Sequence, residues 1–364
     1  MSAMALVLRS DADPQALEAA VLNLPRRGGV LALAAPEEAD LLAAVLPADG
    51  RGVQALTGPA IVLGTGGSSG ARRWCVQPWS HLQVSVDGCR QWLVGIGVEP
   101  TQCQLFNPLP LHHISGLMPL LRSASWGAEH RWLPAALMRE PARLLAEAMP
   151  AADRPALLSL VPTQLQRLLA DADGCRWLQA FALIWVGGAA LPEALAATCR
   201  QQGLRLSPCY GSTETGAMVA ALAPEAFLAG VEGCGPALPH AELRLGDDTA
   251  LEIRSASLAA GFLSADGVEP LPLCDGWWRS GDAARLTPHG LQWRGRLDGA
   301  INSGGETVFP EQVGERLSGL AAAAGLPLQA LLLLPQADDR WGERLVALAR
   351  LGPSAPADAL ARLE

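Results

Sequence analysis

Four short apolar runs, Ala60 to Leu63, Leu157 to Val161, Ala182 to Val186 and Leu251 to Ile253, are each bounded by glycine, proline or charge, which reads as β-strands. Segments such as Leu17 to Leu24 and Ala136 to Met149 place their apolar residues at helical spacing instead. Strands alternating with helices restrict the chain to an α/β architecture, a large N-terminal domain with mostly parallel sheets flanked by helices. With 364 residues, 50% of them hydrophobic, there is material for a large core and for two to three domains. There is no internal repeat and no low-complexity linker.

Around residue 295 the character changes. Trp277 to Gly305 is turn-rich, with Gly281-Asp282, Pro288-His289-Gly290 and Gly295-Arg296 punctuating short strands. Pro310 to Leu320 then reads as an amphipathic helix starting after a proline, followed by strands over Leu328 to Leu334 and Arg344 to Leu351. The expected division is therefore 1–295 and 296–364, the second a small, incomplete α+β domain of about 70 residues.

Composition excludes several classes. A net charge of -9 without a run of basic residues argues against nucleic acid and anionic membrane surfaces. No basic region precedes a long apolar block at the N-terminus, and the apolar stretch Leu317 to Pro335 is broken by Gly325, Pro327 and Gln329. No signal peptide or membrane span is expected, and the cytoplasm is the expected location. The 8 cysteines are scattered, without a zinc-like set, and read as buried thiols. All 27 basic residues are arginine, so lysine-dependent chemistry has no residue to use here.

Three stretches carry chemistry. Ile61 to Trp74 (IVLGTGGSSGARRW) runs from an apolar strand into small and hydroxyl residues and two arginines. Backbone N–H groups of such a loop, with Thr65, Ser68, Ser69 and Arg73, suit phosphate oxygens. A plain glycine turn stays open, and so does a nucleophile elbow at Ser68, although the elbow requires a following helix where Trp74 and Val76 show strand spacing. In CYGSTETGAM, Cys209 to Met218, Glu214 is an oxygen donor suited to Mg2+, against the plain alternative of a helix-capping turn at Ser212 or Thr213. In WWRSGDAARL, Asp282 after Gly281 is an acceptor for a vicinal diol, against an Asx-type turn. Together they offer donors for phosphate, acceptors for sugar hydroxyls and a metal ligand.

In this order the stretches resemble the adenylate-forming superfamily of acyl-CoA synthetases, peptide adenylation domains and luciferases, from about Ile61 to Leu351. TGGSSGARR, Thr65 to Arg73, is similar to that family's phosphate loop. PLHHISG (Pro110 to Gly116), VGGAALP (Val186 to Pro192), YGSTET (Tyr210 to Thr215) and SGD (Ser280 to Asp282) are similar to its next motifs. GRLDGAINSGGETVFPEQV (Gly295 to Val313) and PQADDRWGERLVALARL resemble its C-terminal ones. Departures are Gly66 for a hydroxyl residue, Arg72 for proline and Arg73 for the loop lysine, the last retaining a charged fork suited to phosphate. The family's catalytic lysine follows the WGE strand by some tens of residues, beyond Glu364.

The resemblance implies ATP, Mg2+ and coenzyme A as the molecules bound, and a small-molecule carboxylic acid as substrate. It places Thr65, Gly67, Ser68, Ser69, Gly70 and Arg73 on the phosphates, Gly187, Gly188, Tyr210, Gly211 and Thr213 around the adenine side, Glu214 on Mg2+, and Asp282 with Arg296 on the ribose. Asp298 takes the hinge position, and Gly304, Gly305 and Glu306 take the thiol channel. Arg73, His113 and Glu214 become the catalytic set, with His113 polarising the acid carboxylate beside Ser115 and Gly116; a plain core histidine stays open. SGGETVFPEQV, HHISGL and LSLVPTQLQRLL are most similar to the 2-succinylbenzoate-CoA ligases of menaquinone and phylloquinone biosynthesis, which implies conversion of 2-succinylbenzoate to its CoA thioester. Without a lysine, adenylation is expected to run slower than thioester formation from a supplied acyl adenylate. Another aryl or fatty acid, a degenerate nucleotide-binding protein and, last, a serine hydrolase are the alternatives. A homodimer is the ordinary expectation for assembly.

Overall fold

The computed structural model describes residues 5–11, 13–46, 52–53, 56–66, 72–303, 306–338 and 340–353. Two six-stranded sheets carry the bulk of the chain. In the first, Ala5–Arg9, Val30–Ala34 and Ala60–Gly66 run parallel, and Arg72–Pro78, Gly261–Ser264 and Gly267–Pro270 extend it antiparallel. In the second, Leu206–Ser212, Leu183–Val186, Ala156–Leu160, Gln104–Asn107 and Glu129–Trp132 are all parallel, with Ala217–Ala221 returning antiparallel at one edge.

Alternation along these strands builds separate cores. Leu105, Leu157, Leu183 and Trp185 face the helices Trp79–Gly95 and Ile114–Trp126, which also receive Leu31, Leu33, Ile61 and Leu63 of the first sheet. The neighbours Phe106, Leu158, Ile184 and Val186 face the other way, onto Leu165, Leu168, Trp177 and Phe181. Two helices are thus enclosed between two sheets, as the α/β pattern requires. No helix among the described residues is long and apolar enough to cross a membrane.

A third, antiparallel sheet joins Ala241–Leu245, Ala250–Ser255, Trp277–Thr287, Leu273–Cys274 and Gly290–Arg296. The turn expected at Gly281-Asp282 is instead part of one 11-residue strand, Trp277–Thr287, where Gly281 adopts φ +76° and the register shifts. The single helix expected over Ala136 to Met149 is also broken. Pro141 starts a new helix, Pro141–Glu147, and Glu140 before it leaves the helical region at φ -123°, ψ 77°.

Residues after Arg296 form a fourth sheet, Glu306–Val308, Ile301–Ser303, Gly342–Leu351 and Leu328–Asp338, with the helix Pro310–Ala323. Its core is thin, with Ala321 and Leu326 buried and Leu320, Leu332, Leu334 and Leu348 exposed. It meets the rest of the chain mainly through polar contacts. Glu315 accepts from the Glu193 backbone N–H at 3.0 Å, Gln312 donates to the Arg294 carbonyl at 2.8 Å, and Glu311 accepts from the Arg296 N–H at 3.4 Å, while Phe309 packs on Gly295.

Candidate active site

A cavity of about 630 Å³ opens where the parallel strands of the second sheet end. Leu160, Val186 and Ser212 close three of those strands, and Val161, Gly187, Gly188 and Thr213 just beyond them line the cavity. Gly188 sits at φ +79°, and a Cβ on Gly187 would meet the Cys209 Sγ at 2.9 Å, so side chains are excluded where the backbone walls the cavity.

Glu214 projects from a tight hairpin turn between Leu206–Ser212 and Ala217–Ala221. The Thr215 hydroxyl accepts from the Ser212 N–H at 2.8 Å and donates to the Ala217 carbonyl at 2.5 Å, closing the turn, and Gly216 takes φ +66°. Gly211 allows the strands to meet, because a Cβ there would lie 2.0 Å from the Ala217 carbonyl oxygen. Buried Gln77 donates to the Thr213 carbonyl at 2.5 Å and the Ala259 N–H donates to the Glu214 carbonyl at 2.7 Å. With its backbone held from two sides, Glu214 offers its carboxylate to the cavity, where Thr65 donates to Oε1 at 3.2 Å. The helix-capping alternative fails, since a strand follows the turn. Among the described residues no group of three or more His, Cys, Asp or Glu is arranged to hold a metal. One carboxylate is nonetheless what Mg2+ accepts when phosphate oxygens and water complete its shell.

Asp282 sits opposite Arg296 on paired strands. Its carboxylate accepts from the Tyr210 hydroxyl at 2.5 Å, the Trp293 indole N–H at 3.2 Å and Arg296 at 3.5 Å. Burial, followed by the Asp282 charge, pushes the Tyr210 phenol well above its usual value, so it remains a neutral donor. Tyr210 is not among the residues that line the cavity; it acts through Asp282 rather than presenting its ring. Arg296 divides its fork between Asp282 and Asp298, with Asp298 at 3.1 Å the chief cause of its raised pKa.

The two arginines of the first loop separate. Arg72 turns away to Glu38 at 2.8 Å, across Gly64, where a Cβ would meet its Nε at 2.6 Å. Arg73 lines the cavity with its guanidinium 3.3 Å above the Phe262 ring. The described chain resumes as the strand Arg72–Pro78, pairing Thr65 with Arg73, where a nucleophile elbow requires a helix.

His113 precedes the helix Ile114–Trp126 and lines the cavity; burial, then the Arg72 charge, lower its pKa and keep the imidazole neutral. Sequence reasoning missed Arg122 of the same helix. It is 2% exposed and lines the cavity, and its Nε and Nη2 have no hydrogen-bond partner among the described residues. Its guanidinium lies 5.2 Å from the Trp185 ring. The signal was a lone charge after Leu117 to Leu121, in a helix that is otherwise apolar on that side.

One cavity therefore gathers Thr65, Arg73, His113, Gly187, Gly188, Gly211, Thr213, Glu214, Asp282 and Arg296. Gly67, Ser68, Ser69, Gly70, Gly304 and Gly305 lie outside the described residues. Glu306 lines a different cavity of about 620 Å³, with Asp338, Trp341 and Arg344.

Parallel strands ending on a cavity lined by Glu214, Asp282 and Arg73 give an α/β protein with a site suited to a nucleotide, and the chain belongs to the AMP-binding enzyme family, whose pattern it matches over residues 3–261. Its relatives include the 2-succinylbenzoate–CoA ligase of Geobacillus sp. (strain WCH70), 25% identical over 264 residues, covering 70% of this chain and 52% of that protein. The Salmonella typhimurium protein of the same name is 34% identical over 241 residues, covering 66% of this chain and 48% of the relative. The chain thus spans about half the length of these relatives. In fold it is similar to o-succinylbenzoate CoA synthetase from Bacillus subtilis, solved with its acyl-adenylate intermediate, at TM-score 0.81 and 18% identity over 99% of this chain and 81% of that one.

Proposed function

We propose that this chain takes part in the ATP-dependent activation of a carboxylic acid, through an acyl adenylate, to a coenzyme A thioester, and that the acid is 2-succinylbenzoate. The carboxylate attacks the α-phosphorus of ATP and pyrophosphate leaves; the thiol then attacks the acyl carbon and AMP leaves. The observation that carries this reading is the convergence of Glu214, Arg73, Asp282 and Arg122 on one cavity, although they come from four distant stretches of the chain.

Asp282, already aligned by Tyr210 and Trp293, accepts from the ribose hydroxyls, with Arg296 beside it. The backbone at Gly187 and Gly188 and the Gly211–Thr213 strand end flank the base. Arg73 and the Thr65 hydroxyl donate to phosphate oxygens, and both steps gain from donors fixed before charge develops. Glu214 is the group that would hold Mg2+, which when bound neutralises phosphate charge. Neutral His113 donates to the carboxylate to be activated without adding a charge of its own. We assign Asp298 to the hinge between 1–295 and 296–364, and Glu306 with Gly304 and Gly305 to the thiol path.

The acid assignment is supported by Arg122. A buried guanidinium with unused N–H groups is costly unless an anion meets it. 2-Succinylbenzoate carries two carboxylates, one for activation and one for Arg122, and the matched relatives bear the name of that substrate. The test is acid-dependent pyrophosphate release with ATP and Mg2+, together with thioester formation from supplied acyl adenylate. Release with a different acid overturns the substrate alone, whereas failure of both half-reactions with every acid overturns the activity.

A further inference from the structure

Among the described residues, four arginines line the cavity, and they are held in two different ways. Arg279 and Arg296 are bound by carboxylates, Arg279 by Asp248 at 2.7 Å and Arg296 by Asp282 and Asp298. Arg73 and Arg122 lie over the rings of Phe262 and Trp185, and no carboxylate pairs with them among the described residues. A carboxylate partner fixes a guanidinium but neutralises it, so an incoming anion must share or displace that partner. An aromatic face attracts the cation through its quadrupole and leaves the N–H edge unspent.

Resting on the assignment of Arg122 to the substrate's second carboxylate, we propose that Trp185 is a positioning residue. It orients the Arg122 guanidinium without consuming its charge, which makes this part of the cavity selective for dicarboxylic acids. Trp185 is suited to that task. It belongs to the strand Leu183–Val186 inside the parallel sheet, is 3% exposed, and is backed by the Trp92 ring at 6.5 Å and 37°. Its indole N–H has no acceptor among the described residues, so the ring face is what it contributes to Arg122. Nε and Nη2 of Arg122 are buried and without a partner among the described residues, so the ring contact leaves the guanidinium charge uncompensated.

The test is equilibrium binding by calorimetry to the full chain, using 2-succinylbenzoate, phthalate and glutarate against benzoate and 4-oxo-4-phenylbutanoate. Trp185→Leu is expected to weaken binding of the dicarboxylate about tenfold. Trp185→Phe, which keeps a ring and lacks the N–H, should stay within about threefold of the unaltered protein. Monocarboxylates should bind alike to all three. With Arg122→Met already present, Trp185→Leu should have no further effect on dicarboxylate binding. Trp185→Met, compared with Trp185→Phe, makes the same distinction where the Leu variant does not fold, as thermal unfolding reports.

Additive losses from the Trp185 and Arg122 changes, equal losses for mono- and dicarboxylates, or a Phe variant as weak as the Leu variant would each overturn the proposal. So would a protein that binds none of the dicarboxylates. If phthalate or glutarate binds with the expected coupling and 2-succinylbenzoate does not, the substrate assignment fails while the role of Trp185 stands.

Discussion

Around Asp282 the carboxylate is met by Tyr210, Trp293 and Arg296, whereas around Arg122 the charge meets a ring face, and its Nε and Nη2 have no acceptor among the described residues. The first region is finished by the protein itself, with donors and acceptor held before a ligand arrives. The second is finished only when an anion enters. A region of the first kind adds to stability and binds by shape and hydrogen bonding; one of the second kind costs stability and returns it on binding. On the proposed reading, the same cavity combines a preassembled nucleotide subsite with a charge held in reserve for the acid.

Asp282→Ala should break the comparison most visibly. It strands Tyr210 and Trp293 and leaves Arg296 to Asp298 alone, so nucleotide affinity should fall on the order of a hundredfold and stability by about 2 kcal/mol. Calorimetric titration with AMP and urea unfolding read the two effects; unchanged stability would mean that the network is not preassembled. Arg122→Met should do the opposite to stability. Losing an uncompensated buried charge should raise it by about 1 kcal/mol while dicarboxylate affinity drops roughly thirtyfold, and a fall in the unfolding midpoint would refute the contrast. Tyr210→Phe removes a single donor from Asp282, with about fivefold weaker nucleotide binding and a loss of about 1 kcal/mol.

The smallest effect is a titration. Burial first, and the Arg122 charge second, lower the pKa of His240 to about 4. A histidine unfolded near 6.5 and folded near 4 gives stability that is complete above about pH 6.5 and lost as pH falls toward 4. In Arg122→Met the His240 resonance in an NMR titration should move up from that value, and stability should hold to slightly lower pH. A titration that stays where it was would show that the Arg122 charge is already neutralised.

The cavity wall on the strand-end side was readable in sequence because its parts are local. Glu214 lies in a turn whose Gly-Ser-Thr-Glu-Thr order carries its own geometry, and Gly187-Gly188 directly follows an apolar strand. Arg296 was placed beside Asp282 by the resemblance, but the Tyr210 and Trp293 donors to its carboxylate were not readable in the same way. Tyr210 is 72 residues away, and its hydroxyl reaches Asp282 only because the second and third sheets come together. The turn expected at Asp282 proved to be a bulge inside a strand, since cross-strand pairing overrode the local glycine signal. Arg122 belonged to the illegible part altogether, because a ring contact between a helix and a strand leaves no spacing to detect.

The seam between Arg296 and the last sheet has a thermodynamic consequence. Glu311, Gln312 and Glu315 meet main-chain groups that water would serve almost as well, and a single phenyl ring covers Gly295. Parting those surfaces would wet little oil, so the expected cost of separating the last sheet from the third is small beside that of opening the enclosed helices and sheets.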